Sequence, residues 1–163
     1  MFFEYGGAVV CFAVPRSRNI ARWLIGKPNS VLELARLWSP DGRAPSLLTK
    51  ALSAAIKKLR RDHPQCEAIV SYADPNAGHN GTVYRAASWV DLGPIAETRC
   101  YRDATEKPVS RQTFNGRIVC GKEAIRGAGY TTEDNAHLKR RFARGLTRSA
   151  RRQIAAKASH INS

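Results

Sequence analysis

Residues 66–89 read C-E-A-I-V-S-Y-A-D-P-N-A-G-H-N-G-T-V-Y-R-A-A-S-W, and this stretch decides the fold. Its segment Ala68–Ala73 is a short apolar run with β-branched and aromatic residues, which predicts a buried strand. Residues 74–78 predict a loop, because Pro cannot donate to a ladder while Asn and Gly tolerate turn geometry. From Asn80 onwards helical spacing predicts a helix with an apolar stripe of Val83, Ala86, Ala87 and Val90.

The loop of this strand–loop–helix unit gathers polar groups at the carboxyl end of a strand. Open α/β sheets bind their ligands at that edge, which makes Asp74, His79 and Asn80 candidate site residues. Tyr84 lies about one helical turn beyond Asn80, so its hydroxyl can face the same crevice. Asp74, His79 and Tyr84 are therefore candidates for proton transfer or metal ligation. A lone His beside Gly and Asn is, however, more often a hydrogen-bonding loop residue.

A second strand–loop–helix unit precedes the first. Residues 31–39 read V-L-E-L-A-R-L-W-S and alternate cleanly, which predicts a strand with Arg36 on the same face as Leu34 and Trp38. A guanidinium cannot lose its charge there, so Arg36 needs an anion or a carboxylate partner. The sequence leaves open whether that partner is a structural Asp or a bound ligand.

The loop at residues 40–45 leads into a predicted helix with Ser46 as its N-cap and its end near Asp62. The N-terminus of a helix can bind phosphate through its free backbone N–H groups. The loop does not follow the G-x-x-x-x-G-K-S pattern, so a nucleoside-triphosphate site is not indicated.

The remaining segments give weaker predictions. Ala8–Val14 hardly alternates and predicts a strand that is buried on both faces. Residues 17–24 predict a short helix capped by Ser17, with a strand as the alternative. Residues 97–102 and 117–120 predict further short strands. Thr131 or Thr132 is the expected start of a helix.

The composition limits the class of protein. The 163 residues suit one domain with a real core, and 27 Lys and Arg against 13 Asp and Glu give a net charge of +14. Such an excess usually means an anionic partner, most often nucleic acid. The four Cys are widely spaced, which favours reduced thiols over a zinc ribbon or a disulfide framework. With no apolar stretch long enough for a bilayer and no signal-peptide layout, we expect a cytoplasmic protein with no membrane partner.

The positive charge is concentrated at the C-terminal end. Residues 137–163 contain eight Lys or Arg residues and no Asp or Glu. Leu138, Phe142 and Leu146 recur at every fourth position, which predicts an amphipathic basic helix that becomes loose beyond about Ile154. Cations along such a helix would contact successive DNA phosphates. The predicted nucleic-acid-binding residues are Lys139, Arg140, Arg141, Arg144, Arg148, Arg151 and Arg152.

Four motifs together resemble one known family. L-E-L-A-R-L-W at 32–38, S-Y-A-D-P at 71–75, G-H-N-G-T-V-Y-R-A-A-S-W at 78–89 and K-R-R-F at 139–142 are similar to the Mom DNA-modification proteins of bacteriophages and prophages. The resemblance implies an α/β (α+β) fold like that of acyl-CoA-dependent N-acyltransferases (GNAT-like), with a mixed central sheet flanked by helices. It implies a catalytic domain over residues 1–136 and a basic helical segment over 137–163. Family members carry a further N-terminal portion with a His-Tyr pair ahead of Ala8–Val14, so the first strands of that fold are expected to be missing here.

The resemblance also implies an activity. Family members convert the exocyclic N6 amine of adenine in double-stranded DNA to a carbamoylmethyl-type adduct, which protects phage DNA from restriction in the bacterial host cytoplasm. Arg36, Asp74 and Tyr84 fall on motif positions tied to activity, and His79 lies in the same block. The family's association with iron implies Asp74 and Tyr84 as ligands, and their oxygen donors suit that metal.

The fold implied by the resemblance holds the pyrophosphate of an acyl-CoA-type donor in a strand–loop–helix. The corresponding residues of this chain are Arg43 and Ser46 in the strand–loop–helix of residues 31–62 and Asn80 in that of residues 66–89. Two alternatives remain at this point. One is an ordinary acetyl-CoA N-acetyltransferase acting on a protein or a small amine, and the other is a non-catalytic DNA-binding remnant.

Overall fold

The computed structural model describes residues 1–15, 18–42, 44, 46–75, 78–95, 100–102, 108–109, 131–133 and 139–161. The chain forms two compact units. The first consists of Met1–Ala73, Gly81–Gly93 and Arg140–Ser163, and the second of Asp74–Asn80 and Pro94–Lys139.

The described elements follow one another along the chain. They are β1 (Phe2–Tyr5), β2 (Ala8–Ala13), α1 (Arg18–Ile25), β3 (Val31–Trp38), α2 (Leu47–Asp62), β4 (Ala68–Ala73), α3 (Thr82–Ala86), β5 (Val90–Pro94), β6 (Cys100–Arg102), β7 (Pro108–Val109), β8 (Thr131–Glu133), β9 (Arg140–Gly145) and α4 (Arg148–Ile161).

A six-stranded mixed sheet is the framework of the first unit, with the order β1-β2-β3-β4-β9-β5. The β3–β4 pair is parallel, and the β1–β2, β2–β3 and β4–β9 pairs are antiparallel. A parallel pair requires a crossover, and α2 supplies it. The second unit contains a three-stranded sheet with the order β7-β6-β8, in which both pairs are antiparallel. The mixed α/β class expected from the sequence is confirmed.

Both faces of the large sheet are covered by helices. One face packs against α2 and α3, with Phe12, Leu52 and Phe142 among its buried residues. The other face packs against α1 and α4, where Leu24 and Ile154 are buried. Because side chains alternate along a strand, Ile69, Ser71 and Ala73 of β4 point to the α2 face, while Ala68 and Val70 point to the opposite face.

The parallel pair separates part of the way along its length. Val31–Glu33 of β3 pair with Ala68–Val70 of β4, and no pairing between these two fully described strands continues beyond that point. Each strand keeps its outer neighbour: β3 stays paired with β2 as far as Trp38, and β4 with β9 as far as Ala73. A strand gap therefore opens between residues 34–38 of β3 and residues 71–73 of β4.

The predicted alternation of β3 is interrupted. Cys11 lies opposite Arg36 and Phe12 opposite Leu34, so Ala35 is the extra residue of a β-bulge. The bulge shifts the side-chain alternation by one position, and Leu37 packs with Leu34 against the α2 core instead of facing the other way. The expected clean alternation over the whole strand was wrong for this reason.

Two further predictions near the N-terminus are corrected or resolved. β2 is not buried on both faces, because Ala8, Val10 and Phe12 are buried while Ala13 is exposed. Residues 18–25 form a helix rather than the alternative strand. Ser17, its expected cap, lies outside the described residues.

The helix predicted from Asn80 is shorter than expected. α3 ends at Ala86, and Val90 belongs to β5 instead of the helical stripe. Ser88 adopts a left-handed conformation with φ of 58°, which ends the helix. Thr131–Glu133 forms a strand where a helix start was expected, and the strand predicted over 117–120 lies outside the described residues.

The basic C-terminal segment is not one helix. Its first part, Arg140–Gly145, is the inner strand β9, and only Arg148–Ile161 is helical. The every-fourth spacing of apolar residues predicted a helix here, but Phe142 is buried as a residue of the strand between β4 and β5. The helix also continues past Ile154, where a loose end was expected.

Two smaller expectations concern cysteines and membranes. Cys11 and Cys66 are free thiols, and burial raises the pKa of Cys66 to about 11, so this thiol stays protonated at neutral pH. No helix in the described ranges combines the length and apolar character that a bilayer crossing requires.

Candidate functional site

A hydrogen-bonded chain crosses the strand gap. The Ser71 Oγ atom lies 3.1 Å from the carbonyl oxygen of Leu34 and 2.9 Å from the hydroxyl oxygen of Tyr84. A serine hydroxyl has one proton and a carbonyl can only accept, so Ser71 donates to Leu34 and Tyr84 donates to Ser71. The Ser71 hydroxyl thus donates to a carbonyl of β3 at the point where the pairing between β3 and β4 has stopped.

The Tyr84 ring is held by aromatic neighbours. Its centroid lies 5.4 Å from that of Trp89 and 5.1 Å from that of Phe142. Burial raises the pKa of the Tyr84 phenol. At neutral pH the phenol therefore keeps its proton and acts as a hydrogen-bond or proton donor, not as a phenolate.

Gly81 explains why α3 can bring Tyr84 to this place. It has φ of 74°, and an added Cβ would lie 2.4 Å from the Phe142 ring. Only glycine combines this backbone conformation with so close an approach. The glycine of the sequence motif is therefore a packing requirement for the start of α3.

Arg36 is placed differently from the prediction. It lies on β3 next to the bulge residue Ala35 and its side chain is exposed to solvent. A solvent-exposed guanidinium needs no buried carboxylate partner, so the sequence argument that required one does not apply. The side chain is accessible to an anionic ligand.

Asp74 and His79 belong to the second unit. The backbone N–H of His79 donates to the backbone carbonyl of Asp74 at 3.0 Å. One Asp74 carboxylate oxygen lies 3.4 Å from the Lys139 ammonium nitrogen. The His79 and Asn80 side chains are exposed. The turn brings the backbones of Asp74 and His79 together, as expected for a loop after a strand.

The residues predicted to bind a phosphorylated donor lie at the start of α2. Ser46 occupies the N-cap position, but its side chain makes no capping hydrogen bond. Its carbonyl instead accepts from the Thr49 hydroxyl at 2.9 Å. Arg43 lies outside the described residues.

The metal site that the resemblance implies would use Asp74 and Tyr84 as its ligands. In the described ranges, no three His, Cys, Asp or Glu side chains lie close enough together to hold a metal ion. Asp74 is ion-paired with Lys139, and the Tyr84 hydroxyl is engaged with Ser71. Iron ligation by these two residues stays a prediction, and no chemical step below depends on it.

The predicted nucleic-acid-binding residues fall into two groups, of which the first is engaged within the protein. The Arg140 Nε atom donates to Asp91 at 3.0 Å, and Arg85 donates to the same carboxylate oxygen. The guanidinium of Arg141 lies 4.8 Å from the Trp23 ring centroid on the α1 face. Lys139 is ion-paired with Asp74, as described above.

The second group lies where a ligand can reach it. Arg148, Arg151 and Arg152 are exposed on α4, and Arg144 is half-buried on β9. None of these four arginines forms an ion pair with a residue in the described part of the chain. They are therefore the cations of this segment that are best placed to contact phosphates.

A pocket of about 370 Å³ lies beyond the end of β9, with Arg60, Arg144 and Arg151 in its lining. These arginines come from α2, β9 and α4, and the pocket is named the arginine pocket after them. Gly145 makes the arrangement possible, because an added Cβ would lie 2.5 Å from the Arg151 backbone nitrogen. Arg36 and Tyr84 do not line this pocket.

Sequence reasoning missed two residues. Ser71 is not among the site residues predicted from the sequence, although a polar residue within the apolar run of β4 signals a buried hydrogen bond. Arg60, near the end of α2, is not among the predicted binding residues either. No local pattern distinguishes it from Arg61, which pairs with Asp62, because only the packing of α2 against β9 and α4 places Arg60 in a pocket.

The first unit is thus defined by a mixed α/β sheet, a partly buried Tyr–Ser pair in a strand gap and a cationic pocket. A model of the Mom protein family matches residues 6–160, and the chain belongs to this family. The methylcarbamoylase Mom of Escherichia phage Mu is 34% identical to it over 67 residues. That match covers 41% of this chain, and the chain spans 28% of the length of the phage Mu protein.

Proposed function

We propose that this protein is an enzyme of phage DNA modification that transfers a carbamoylmethyl-type group to the N6 amine of adenine in double-stranded DNA. The match of residues 6–160 to the Mom protein family carries this proposal. The similarity to a methylcarbamoylase and the net charge of +14 support it, because the substrate would be a polyanion. The consequence for the phage is protection from host restriction.

The sheet supports a GNAT-like transferase fold for the proposed activity. Its parallel strands β3 and β4 are connected by α2 and separate into the strand gap, and open α/β sheets bind their ligands at the carboxyl ends of such strands. The Leu47 N–H donates to the Ala44 carbonyl, and the Ser46 side chain makes no capping hydrogen bond to the N–H groups that follow, which fits a donor that carries phosphate groups. Such a donor would supply the group to be transferred.

Transfer to N6 forms one nitrogen–carbon bond, breaks the bond between the transferred carbon and the leaving group of the donor, and releases one proton from the amine. Asp74 would orient the amine or accept this proton, and Tyr84, which keeps its own proton, would donate to the leaving group. Arg36 would bind an anionic group of the substrates from its exposed position, and His79 would assist in proton transfer. The target base is paired inside the duplex, so we expect it to be extruded before reaction.

The test measures modified bases directly. The wild-type protein and the Tyr84→Phe variant are expressed in bacteria, the host DNA is digested to nucleosides, and deoxyadenosine is analysed by mass spectrometry. We expect an adduct with the wild type and a decrease of about 100-fold or more with Tyr84→Phe, because the proton donor is lost. Tyr72→Phe is the matched control, since Tyr72 packs on the opposite face of the sheet.

The outcomes separate the proposal from its rivals. Modification by Tyr84→Phe at the parental rate would remove Tyr84 from the reaction, and the same measurement with Asp74→Ala tests that carboxylate. Salt-sensitive DNA binding without any change in base mass would indicate a non-catalytic DNA-binding protein. Acetyl transfer to an amine in the absence of DNA would indicate an ordinary N-acetyltransferase.

A further inference from the structure

The arginine pocket contains three cations and no acidic side chain. Arg60, Arg144 and Arg151 line it, and none of them forms an ion pair with any residue in the described ranges. Guanidinium groups remain charged at any physiological pH, so their mutual repulsion has to be tolerated by the fold. Such a cluster is most stable when an anion lies between its members.

Arg144 is the least exposed of the three arginines. Burial, together with the charges of Arg60 and Arg151, lowers the pKa of Arg144. Its guanidinium also donates to the Ala87 carbonyl at the end of α3, which fixes its position without neutralising it. The protein thus holds a cation in place beside two others.

The remaining lining has two parts that would suit a phosphorylated organic molecule. The exposed hydroxyl of Ser88 can donate to a phosphate oxygen, and Ser88 adopts the uncommon φ of 58° where helix ends usually have glycine. The rest of the lining is mainly apolar, with Ile56, Val90, Leu146 and Ile154. A volume of about 370 Å³ is within the range of small-molecule sites.

We propose that the arginine pocket is a binding site for a phosphate or diphosphate group, held by Arg60, Arg144 and Arg151 with Ser88 as an additional donor. Bidentate contacts from guanidinium groups match the geometry of phosphate oxygens. The phosphate belongs either to the DNA backbone or to a free phosphorylated small molecule, and both sources present the same chemistry to the pocket. This site is separate from the Ser71–Tyr84 pair and its occupancy does not require the proposed reaction.

The experiment uses inorganic pyrophosphate as the probe and the full chain at low ionic strength. Binding is measured by isothermal titration calorimetry for the wild type, Arg60→Gln and Arg151→Gln, since both side chains are exposed and their loss should not prevent folding. We expect each variant to bind pyrophosphate about tenfold more weakly, the loss of one charge-assisted contact. Lys57→Gln is the control, because it removes one exposed charge from the same helix as Arg60 but does not line the pocket.

A second arm identifies the source of the phosphate. If Arg60→Gln and Arg151→Gln each reduce the salt dependence of binding to a short DNA duplex by about one phosphate contact, and pyrophosphate competes with the duplex, the pocket holds a DNA phosphate. If both variants lose pyrophosphate affinity but bind DNA like the wild type, the ligand is a free phosphorylated molecule.

Two results would overturn the proposal. One is the absence of pyrophosphate binding by the folded wild-type protein at low salt. The other is an equal loss of affinity in Arg60→Gln, Arg151→Gln and Lys57→Gln, which would mean that only net charge matters. Neither result bears on adenine modification, which is measured on digested host DNA, so the two proposals fail independently.

Discussion

The strand gap and the arginine pocket are neighbours along β9 but differ in charge and in exposure to solvent. Ser71 pairs with Phe142 at the gap, and two residues further along β9, Ile69 pairs with Arg144 at the pocket. The gap holds neutral hydroxyls, and Ser71 is only 1% exposed. The pocket holds charged guanidinium groups, of which Arg60 and Arg151 are exposed.

The difference shows how one short helix serves two purposes. Tyr84, in the middle of α3, points into the gap. The Ala87 carbonyl at the end of the helix accepts a hydrogen bond from Arg144. Inside the gap, burial keeps a phenol protonated and oriented. At the pocket, unneutralised charge remains available to a ligand. The molecule therefore places a protonated phenol and a cluster of cations only a few residues apart.

The largest expected effect concerns the glycine that seats α3. Gly81→Ala would force a Cβ to within 2.4 Å of the Phe142 ring and place alanine at φ of 74°. We expect a loss of about 2–4 kcal/mol in the free energy of unfolding, measured by urea denaturation. Gly26→Ala is the control, because φ is 71° but the new Cβ would meet nothing within 4 Å. Equal losses for both variants would mean that the Phe142 contact is unimportant.

The hydrogen bonds of the gap give the next largest effect. Ser71→Ala leaves the Leu34 carbonyl and the Tyr84 hydroxyl without this partner, so we expect a loss of about 1–3 kcal/mol in unfolding free energy. Tyr84→Phe should cost less than Ser71→Ala, because Ser71 still donates to Leu34. Chemical denaturation of the two variants checks this order, and the reverse order would contradict the assigned direction of the hydrogen bonds.

A third prediction tests which arginines are neutralised by the protein. Burial disfavours the charge on Asp91, but hydrogen bonds from Arg140, the Gly93 N–H and Arg85 outweigh it and lower the pKa of this carboxyl below its ordinary 3.8. The stabilisation is complete above the ordinary value and is lost as the pH falls through the lower folded-state pKa. At pH 7 we expect Asp91→Asn to cost about 1–2 kcal/mol.

Thermal unfolding of the wild type and Asp91→Asn between pH 7 and pH 2 measures this contribution. The difference between the two proteins should shrink only below pH of about 4. Asp41→Asn, which changes an exposed carboxylate in a turn, is the control. A difference that is independent of pH would show that the Asp91 contacts act through packing instead of charge.

The smallest effect is expected at the edge of the pocket. Ser88→Gly relieves a side chain at φ of 58°, so the free energy of unfolding should rise by less than about 1 kcal/mol. The same change removes a phosphate donor, and pyrophosphate should bind a few-fold more weakly. Thermal unfolding and calorimetry measure the two effects. A variant that is more stable and binds as well as the wild type would remove Ser88 from the site.

Local pattern was sufficient for the elements with strong periodicity. Ala68–Ala73 and Val31–Trp38 are strands and Leu47–Asp62 is a helix, as their apolar spacing predicts. The helix predicted around Phe142 was wrong because its every-fourth apolar spacing also fits a strand that is covered on both faces. This segment is a strand because it pairs with β4, which lies about 70 residues earlier in the chain. Local sequence does not reveal a pairing between segments so far apart.

The sequence by itself determined the mixed α/β class, the position of the β4–α3 unit and the strongly basic character of the C-terminal segment, because these follow from local spacing and composition. Only the tertiary structure decided which polar groups meet. It joined Ser71 to Tyr84 by ending the β3–β4 ladder, left Arg36 exposed beside a bulge, and brought Arg60 of α2 to Arg144 and Arg151. The physical reason is that pairing register and helix packing depend on contacts between segments far apart in the chain.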